Sequence, residues 1–184
     1  MHPLPHQHPE FQRLELASGV IEYRVGNWTV AKDGSGNLMT NSSLSKVDLV
    51  FVAAILLTAR LFALKVVYEF WAVVLAIFIY SKSQRILWES LIVVQSHGFQ
   101  LETWRGFPNI PLWSSRRFLP LSDFQGILIN EGFYGWETRY YLVLAYGTEA
   151  TGTRLHVVFE NILPRLPVLV EIYRELQPSE RPSV

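Results

Sequence analysis

"ILINEGFYGWETRYYLVLAY", residues 127 to 146, decides how the second half of this chain is read. Ile127, Leu128 and Ile129 make a strand-like run, and "TRYYLVLAY" supplies a second one. Between them Asn130-Glu131-Gly132 starts a turn and Gly135 permits positive φ, so the two runs read as a hairpin. Working outward, "ILWESLIVVQ" and "FQLETW" flank Ser96-His97-Gly98, a tight-turn signal, while "RRFLPL", "FQGILIN" and "TRLHVVF" are further strand candidates. "RGFPNIPLWSS", with Pro108 and Pro111, reads as an exposed loop. After Asn161 the period becomes helical: Leu163, Leu166, Leu169, Val170, Tyr173 and Leu176 mark one face, Asn161 is the expected cap and Pro178 the stop. Strands closed by one amphipathic helix give an α+β domain over residues 83–178, drawn as a small antiparallel pleckstrin-homology-like sheet with a C-terminal helix.

Upstream, residues 47–80 read "VDLVFVAAILLTARLFALKVVYEFWAVVLAIFIY", with neither Gly nor Pro. One helix of that length would extend about 51 Å, well past the roughly 30 Å hydrocarbon core. Arg60, Lys65 and Glu69 fall near the middle, where each would cost at least about 2.5 kcal/mol inside a bilayer. A turn near Leu64-Lys65 brings those charges to the tip of a hairpin, so residues 46–82 are read as a membrane-embedded helical hairpin. Lys46, Lys82 and Arg85 flank it, which suits N- and C-termini that are both cytoplasmic. The rival is a single span over roughly residues 61–80, with Lys65 and Glu69 paired at i and i+4.

Residues 1–45 are rich in His, Pro, Gly, Asn and Ser and are expected to be a mostly disordered cytosolic tail. Within it "GVIEYRV" alternates Ile21, Tyr23 and Val25 and is able to add a strand elsewhere. His2, His6 and His8 have no further ligand beside them, so no metal is expected. Residues 179–184 form a short tail. Asn27 and Asn41 open glycosylation sequons that stay bare if the amino terminus is cytoplasmic.

The net charge is zero over 184 residues, with ten Lys and Arg against ten Asp and Glu from residue 81 onward, which argues against nucleic acid. The chain has no cysteine, which removes disulfides and thiol catalysis. It carries no phosphate loop, no G-x-G-x-x-G, no H-E-x-x-H and no G-x-S-x-G. With three aspartates, no Asp-x-Asp and no pair of glutamates eight apart, a carboxylate active site has little material. No catalytic residue, cofactor or metal is therefore expected, and His97 and His156 read as structural. The densest polar constellation is Asn130, Glu131, Glu137 and Arg139, next to Phe133, Tyr134 and Trp136 at the hairpin tip. One reading is a turn on a solvated face, with Glu137 paired to Arg139 or Arg154. The other is an interaction surface, since aromatics and Arg dominate binding hot spots.

"RFLPLSDFQGILINEGFYGWETRYYLVLAY" and "LHVVFENILPRLPVLVEIYREL" resemble the PIG-H family, phosphatidylinositol-glycan class H, over residues 85 to 177. An apolar hairpin before this domain is also the family's layout, whereas the amino tail is longer than in short members. The resemblance implies a non-catalytic subunit of the complex that transfers N-acetylglucosamine from UDP-N-acetylglucosamine to phosphatidylinositol, the first step of GPI anchor biosynthesis, at the endoplasmic reticulum membrane. It implies a catalytic glycosyltransferase subunit (PIG-A-like) and other subunits as partners. On the matching positions, Asn130, Glu131, Gly132, Trp136, Glu137, Arg139, Tyr140 and Tyr141 are the candidate partner-binding residues. A membrane-tethered pleckstrin-like lipid-binding module is the alternative; it would need a basic cluster, offered by Arg116-Arg117 with Arg105.

Overall fold

The computed structural model describes residues 11–30, 38–40, 46–61, 65–107, 110–148 and 152–177. The three tail histidines, Asn41, the Leu64 turn, Pro108 and residues 179–184 lie outside the described residues. In order the chain forms β1 (Phe11–Ala17), β2 (Val20–Gly26), β3 (Trp28–Val30), β4 (Leu38–Thr40), α1 (Lys46–Leu61), α2 (Lys65–Ser83), β5 (Ile86–Val94), β6 (Gly98–Phe107) and β7 (Ile110–Pro120). A 3-10 turn at Leu121–Asp123 leads to β8 (Phe124–Tyr134), β9 (Glu137–Thr148), β10 (Gly152–Val158) and α3 (Leu166–Leu176). The sheets are β1-β2-β5-β6-β7, β10-β9-β8 and the small pair β3-β4. Two compact units result: Met1–Asn27 with Trp88–Thr103 and Ser115–Val184, and Trp28–Leu87 with Trp104–Ser114.

In the first unit β2 pairs antiparallel with β5, Tyr23 opposite Leu91 and Val25 opposite Glu89. Thus residues 11–26, expected in a largely unstructured tail, supply two strands of the main sheet. "GVIEYRV" is the second of them, and its alternation buries Tyr23 and Val25. The core joins these to Leu91, Phe99, Leu142, Leu144 and Ile172, which helps offset chain entropy by roughly 1.5–3 kcal/mol per large apolar side chain buried. β9 is central in its sheet and is covered on both faces from Leu142 to Tyr146. α3 buries Val168, Leu169 and Ile172. The face expected from sequence is therefore rotated by about one residue, and Leu166 stays partly exposed. The helix starts at Leu166, after Arg165, so Pro167 sits in the first turn, where its missing N–H costs nothing.

One further expectation changes, and one holds. The Pro111 stretch is not a loop but part of β7, and β7 is an edge strand, where a missing N–H is tolerated. The β5–β6 turn does fall at Ser96-His97-Gly98, with Ser96 at φ 69° and Gly98 at φ 145°. A Cβ on Gly98 would lie 2.2 Å from the Leu119 carbonyl oxygen. Gly98→Ala is accordingly expected to lower unfolding stability by about 1–3 kcal/mol, measured by denaturant titration.

In the second unit α1 and α2 pair through an ion pair from Lys82 Nζ to Asp48 Oδ2 at 2.7 Å and through the rings of Phe51 and Phe78, 5.3 Å apart. The expected membrane-embedded helical hairpin followed by a pleckstrin-homology-like sheet is corrected here. Among the described residues no helix is long and apolar enough to cross a membrane. α1 has 16 residues, hence about 24 Å of rise, and α2 carries Lys65, Glu69 and Lys82 within its 19 residues. The rival single span, over roughly residues 61–80, runs through residues 62–64, which lie outside the described residues. Among the described residues the chain is sheet-rich and mostly antiparallel, with three α-helices.

Candidate functional site

The hairpin of β8 and β9 holds all eight sequence-derived candidates. Its register runs Ile127 opposite Leu144, Ile129 opposite Leu142, Asn130 opposite Tyr141, Glu131 opposite Tyr140, Gly132 opposite Arg139 and Tyr134 opposite Glu137. That leaves Gly135-Trp136 as a two-residue connection, and Gly135 at φ 64° supplies the positive φ that tight connections between twisted strands need. Directly opposed residues share a face, so the candidates divide into two sets.

One face carries Asn130, Gly132, Glu137, Arg139 and Tyr141, and most of its polar capacity is used internally. Asn130 Nδ2 donates to the Tyr141 hydroxyl at 3.2 Å, and Asn130 Oδ1 accepts the Glu131 N–H at 2.9 Å. A Cβ on Gly132 would stand 3.1 Å from Tyr141 Cε1, so the glycine makes room for that ring. Arg139 donates from Nε and Nη2 to Glu137 Oε2 at 3.0 and 2.6 Å. This pair is solvent-exposed and is worth at most about 1 kcal/mol. These residues shape the hairpin.

The other face continues the core outward. Ile127 and Leu144 are buried and Leu142 is fully so, Ile129 is half-buried, and beyond them come Glu131, Tyr140 and Phe133. Phe133 is 90% exposed and Trp136, at the turn, is fully exposed, while Tyr140 is 38% exposed. Rings of that size placed where the core's own face runs out into solvent exceed what a turn requires. The Tyr134 side chain is outside the described set. Sequence reasoning ranked Phe133 only as a tip aromatic; the signal that would have promoted it is its even spacing from Ile127 and Ile129.

The side chains most suggestive of chemistry are engaged in holding the fold. Glu89, 3% exposed, accepts four hydrogen bonds: from Thr103 Oγ1 at 3.2 Å, from Asn161 Nδ2 at 2.6 Å, and from the N–H groups of Asn161 at 3.1 Å and Ile162 at 2.9 Å. Asn161 thus ties the approach to α3 back to β5 instead of capping the helix. Just before it Phe159 is buried with φ 58°, a backbone state that needs such support. A polar cavity of about 100 Å3 lies beside this clasp, lined by Glu89, Ser90, Glu102, Thr103, Ser115 and Arg117 among others. Glu102 is held there by Gln100 Nε2 at 2.6 Å and Arg116 Nε at 2.9 Å.

The basic cluster required by the lipid-binding alternative is already committed in part. Arg116 is paired to Glu102, Arg117 Nη1 lies 3.4 Å from His156 Nδ1, and Arg105 is counted with the second unit. His156 is held below its ordinary pKa by burial first, then by Arg117 and Arg154. Among the described residues no acid orients it as a base.

Residues 90–160 match the family model described as the PIG-H component of the GPI-GlcNAc transferase complex. The phosphatidylinositol N-acetylglucosaminyltransferase subunit gpi15 of Schizosaccharomyces pombe is 38% identical over 87 residues, 47% of this chain and 51% of that protein. The chain therefore spans about half the length of this relative. No solved structure matches. Over the matched stretch, which holds β8, β9 and β10, the resemblance read from the sequence blocks is shown.

Proposed function

We propose that this chain is a non-catalytic subunit of a complex that transfers N-acetylglucosamine from UDP-N-acetylglucosamine to phosphatidylinositol, at the start of GPI anchor biosynthesis. It docks the catalytic glycosyltransferase subunit through the outer end of the β8–β9 hairpin. The complex places it at the endoplasmic reticulum membrane with both termini in the cytoplasm, so Asn27 carries no glycan in cells. The observation that carries the docking reading is the uncovered aromatic extension of the core face, Phe133, Tyr140 and Trp136. Such rings supply large contact area at small entropic cost, as binding hot spots do. The family match, to a component of a complex, supports a partner from the same complex, and the engagement of Glu89 and Glu102 in structural bonds agrees with a chain that binds without reacting.

Affinity capture of the full chain from detergent-solubilised membranes tests this reading. The expected result is recovery of the subunit that binds UDP-N-acetylglucosamine. Recovery of the chain without that subunit, under conditions where the transferase stays active, contradicts it.

A further inference from the structure

β8 is a long strand of the first unit whose outer edge carries no Lys, Arg or Pro, and its register irregularity, between Phe124 and Gly126, lies before residues 127–133. Among the described residues β9 is its single sheet neighbour. Exposed edges are normally blunted by Lys, Arg or Pro. β7, one edge of the larger sheet, has Pro111, Arg116, Arg117 and Pro120, β1, its other edge, has Arg13, and β10, the opposite edge of the smaller sheet, is shorter and has Arg154. The 11 residues of β8 include none of these types, and Glu131 is their single charge.

The direction of the free backbone groups follows from one bond. The Glu131 N–H donates to Asn130 Oδ1, so it points away from β9. Strand backbone groups alternate, so the N–H and C=O of Ile127, Ile129 and Phe133 face the same open side. Asn130 is then a removable plug on one of four outward donors. An added strand would meet the core-side face at Ile129, Glu131 and Phe133, beside the aromatic side chains left uncovered at the hairpin's end.

We infer that the β8 edge, over residues 127–133, receives an extended segment of the partner protein as an additional strand, main chain to main chain. This deepens the docking reading and rests on it. The occupant is a partner polypeptide because the family match is to a component of a complex, so other chains are present. Its segment carries apolar side chains toward Ile129 and Phe133 and a Lys or Arg beside Glu131, which is exposed. On binding, the partner's carbonyl replaces Asn130 Oδ1 on the Glu131 N–H.

The test uses the full chain and the purified UDP-N-acetylglucosamine-binding subunit in detergent. Amide hydrogen exchange at residues 127–133 is expected to slow at least about tenfold in the complex. Glu131→Pro, which removes an outward N–H, is expected to weaken binding at least about tenfold, whereas Glu131→Gln, which keeps it, changes binding less than about threefold. Unchanged exchange at 127–133 in a complex that Trp136→Ala still disrupts would overturn strand addition while leaving the docking reading intact. Formation of no complex at all overturns both. Slowed exchange that appears in the chain alone as its concentration rises would assign the edge to a second copy, and so also overturn the inference. The exchange measurement holds even if Glu131→Pro fails to fold.

Discussion

Replacing Phe133 and Trp136 together with alanine is expected to abolish recovery of the transferase subunit at ordinary protein concentrations while leaving the domain folded. The argument is one of position. Both side chains stand at or beyond 90% exposure, so truncating them removes almost no packing from the folded monomer. A buried aromatic anchor at an interface commonly contributes about 2 kcal/mol or more, and each 1.4 kcal/mol is tenfold in affinity. Two such losses weaken binding by roughly a hundredfold or more. Thermal unfolding of the double variant should stay within about 2 °C of the parent, since exposed substitutions fall within about 0.5 kcal/mol. Undiminished recovery of the partner in the folded variant would reduce the hairpin to a connection between strands. By contrast Glu137→Ala is expected to change little, because its bond with Arg139 is local and solvated.

Glu89→Ala is the complementary case, with its effect on stability and none on a partner-facing surface. Removing the carboxylate leaves the N–H groups of Asn161 and Ile162 and the Asn161 amide without their acceptor. Asn161 is itself exposed and these bonds are part-buried, so water replaces some of the lost acceptor, and a total of about 1–3 kcal/mol is expected, or roughly 2–12 °C in Tm. Glu89→Gln keeps one acceptor oxygen but turns an NH2 toward donors, and should lose an intermediate amount. Amides of α3 should exchange faster in Glu89→Ala, because the clasp connects β5 to the helix approach. Wild-type stability in Glu89→Ala would mean that the segment from Phe159 to Ile162 is held by packing alone.

The strands adjacent in sequence were legible because their period and their turns agree. β8 and β9 with Gly135 between them, and β5 and β6 around Ser96 and Gly98, are local features. β1 and β2 were harder to place. β2 pairs with β5, more than sixty residues away, and no local signal records such a partner. Pro111 hid β7, since a proline excludes a central strand but not an edge. The face of α3 was legible in part, since Leu169 is buried and Tyr173 and Leu176 pack against the core, while Val168 and Ile172 were not expected there and Asn161, the expected cap, is recruited by Glu89. The apolar density of residues 47–80 suggested membrane crossing, and the helices that form there are too short or too charged for it among the described residues. At the candidate site, residue types and spacing located the hairpin correctly. They could not divide its residues into those that shape it and those that project, because that division depends on register: Asn130 faces Tyr141, while Phe133 continues the line of Ile129.

The central claim is that this chain serves a glycosyl transfer without performing it. Transfer of N-acetylglucosamine from UDP-N-acetylglucosamine to phosphatidylinositol, measured in membranes depleted of the chain, tests it most directly. The expected result is no product from the purified chain alone, low product from depleted membranes, and restoration by the wild-type chain but not by the Phe133→Ala, Trp136→Ala variant. Turnover by the purified chain alone, or full activity in its absence, would contradict the account.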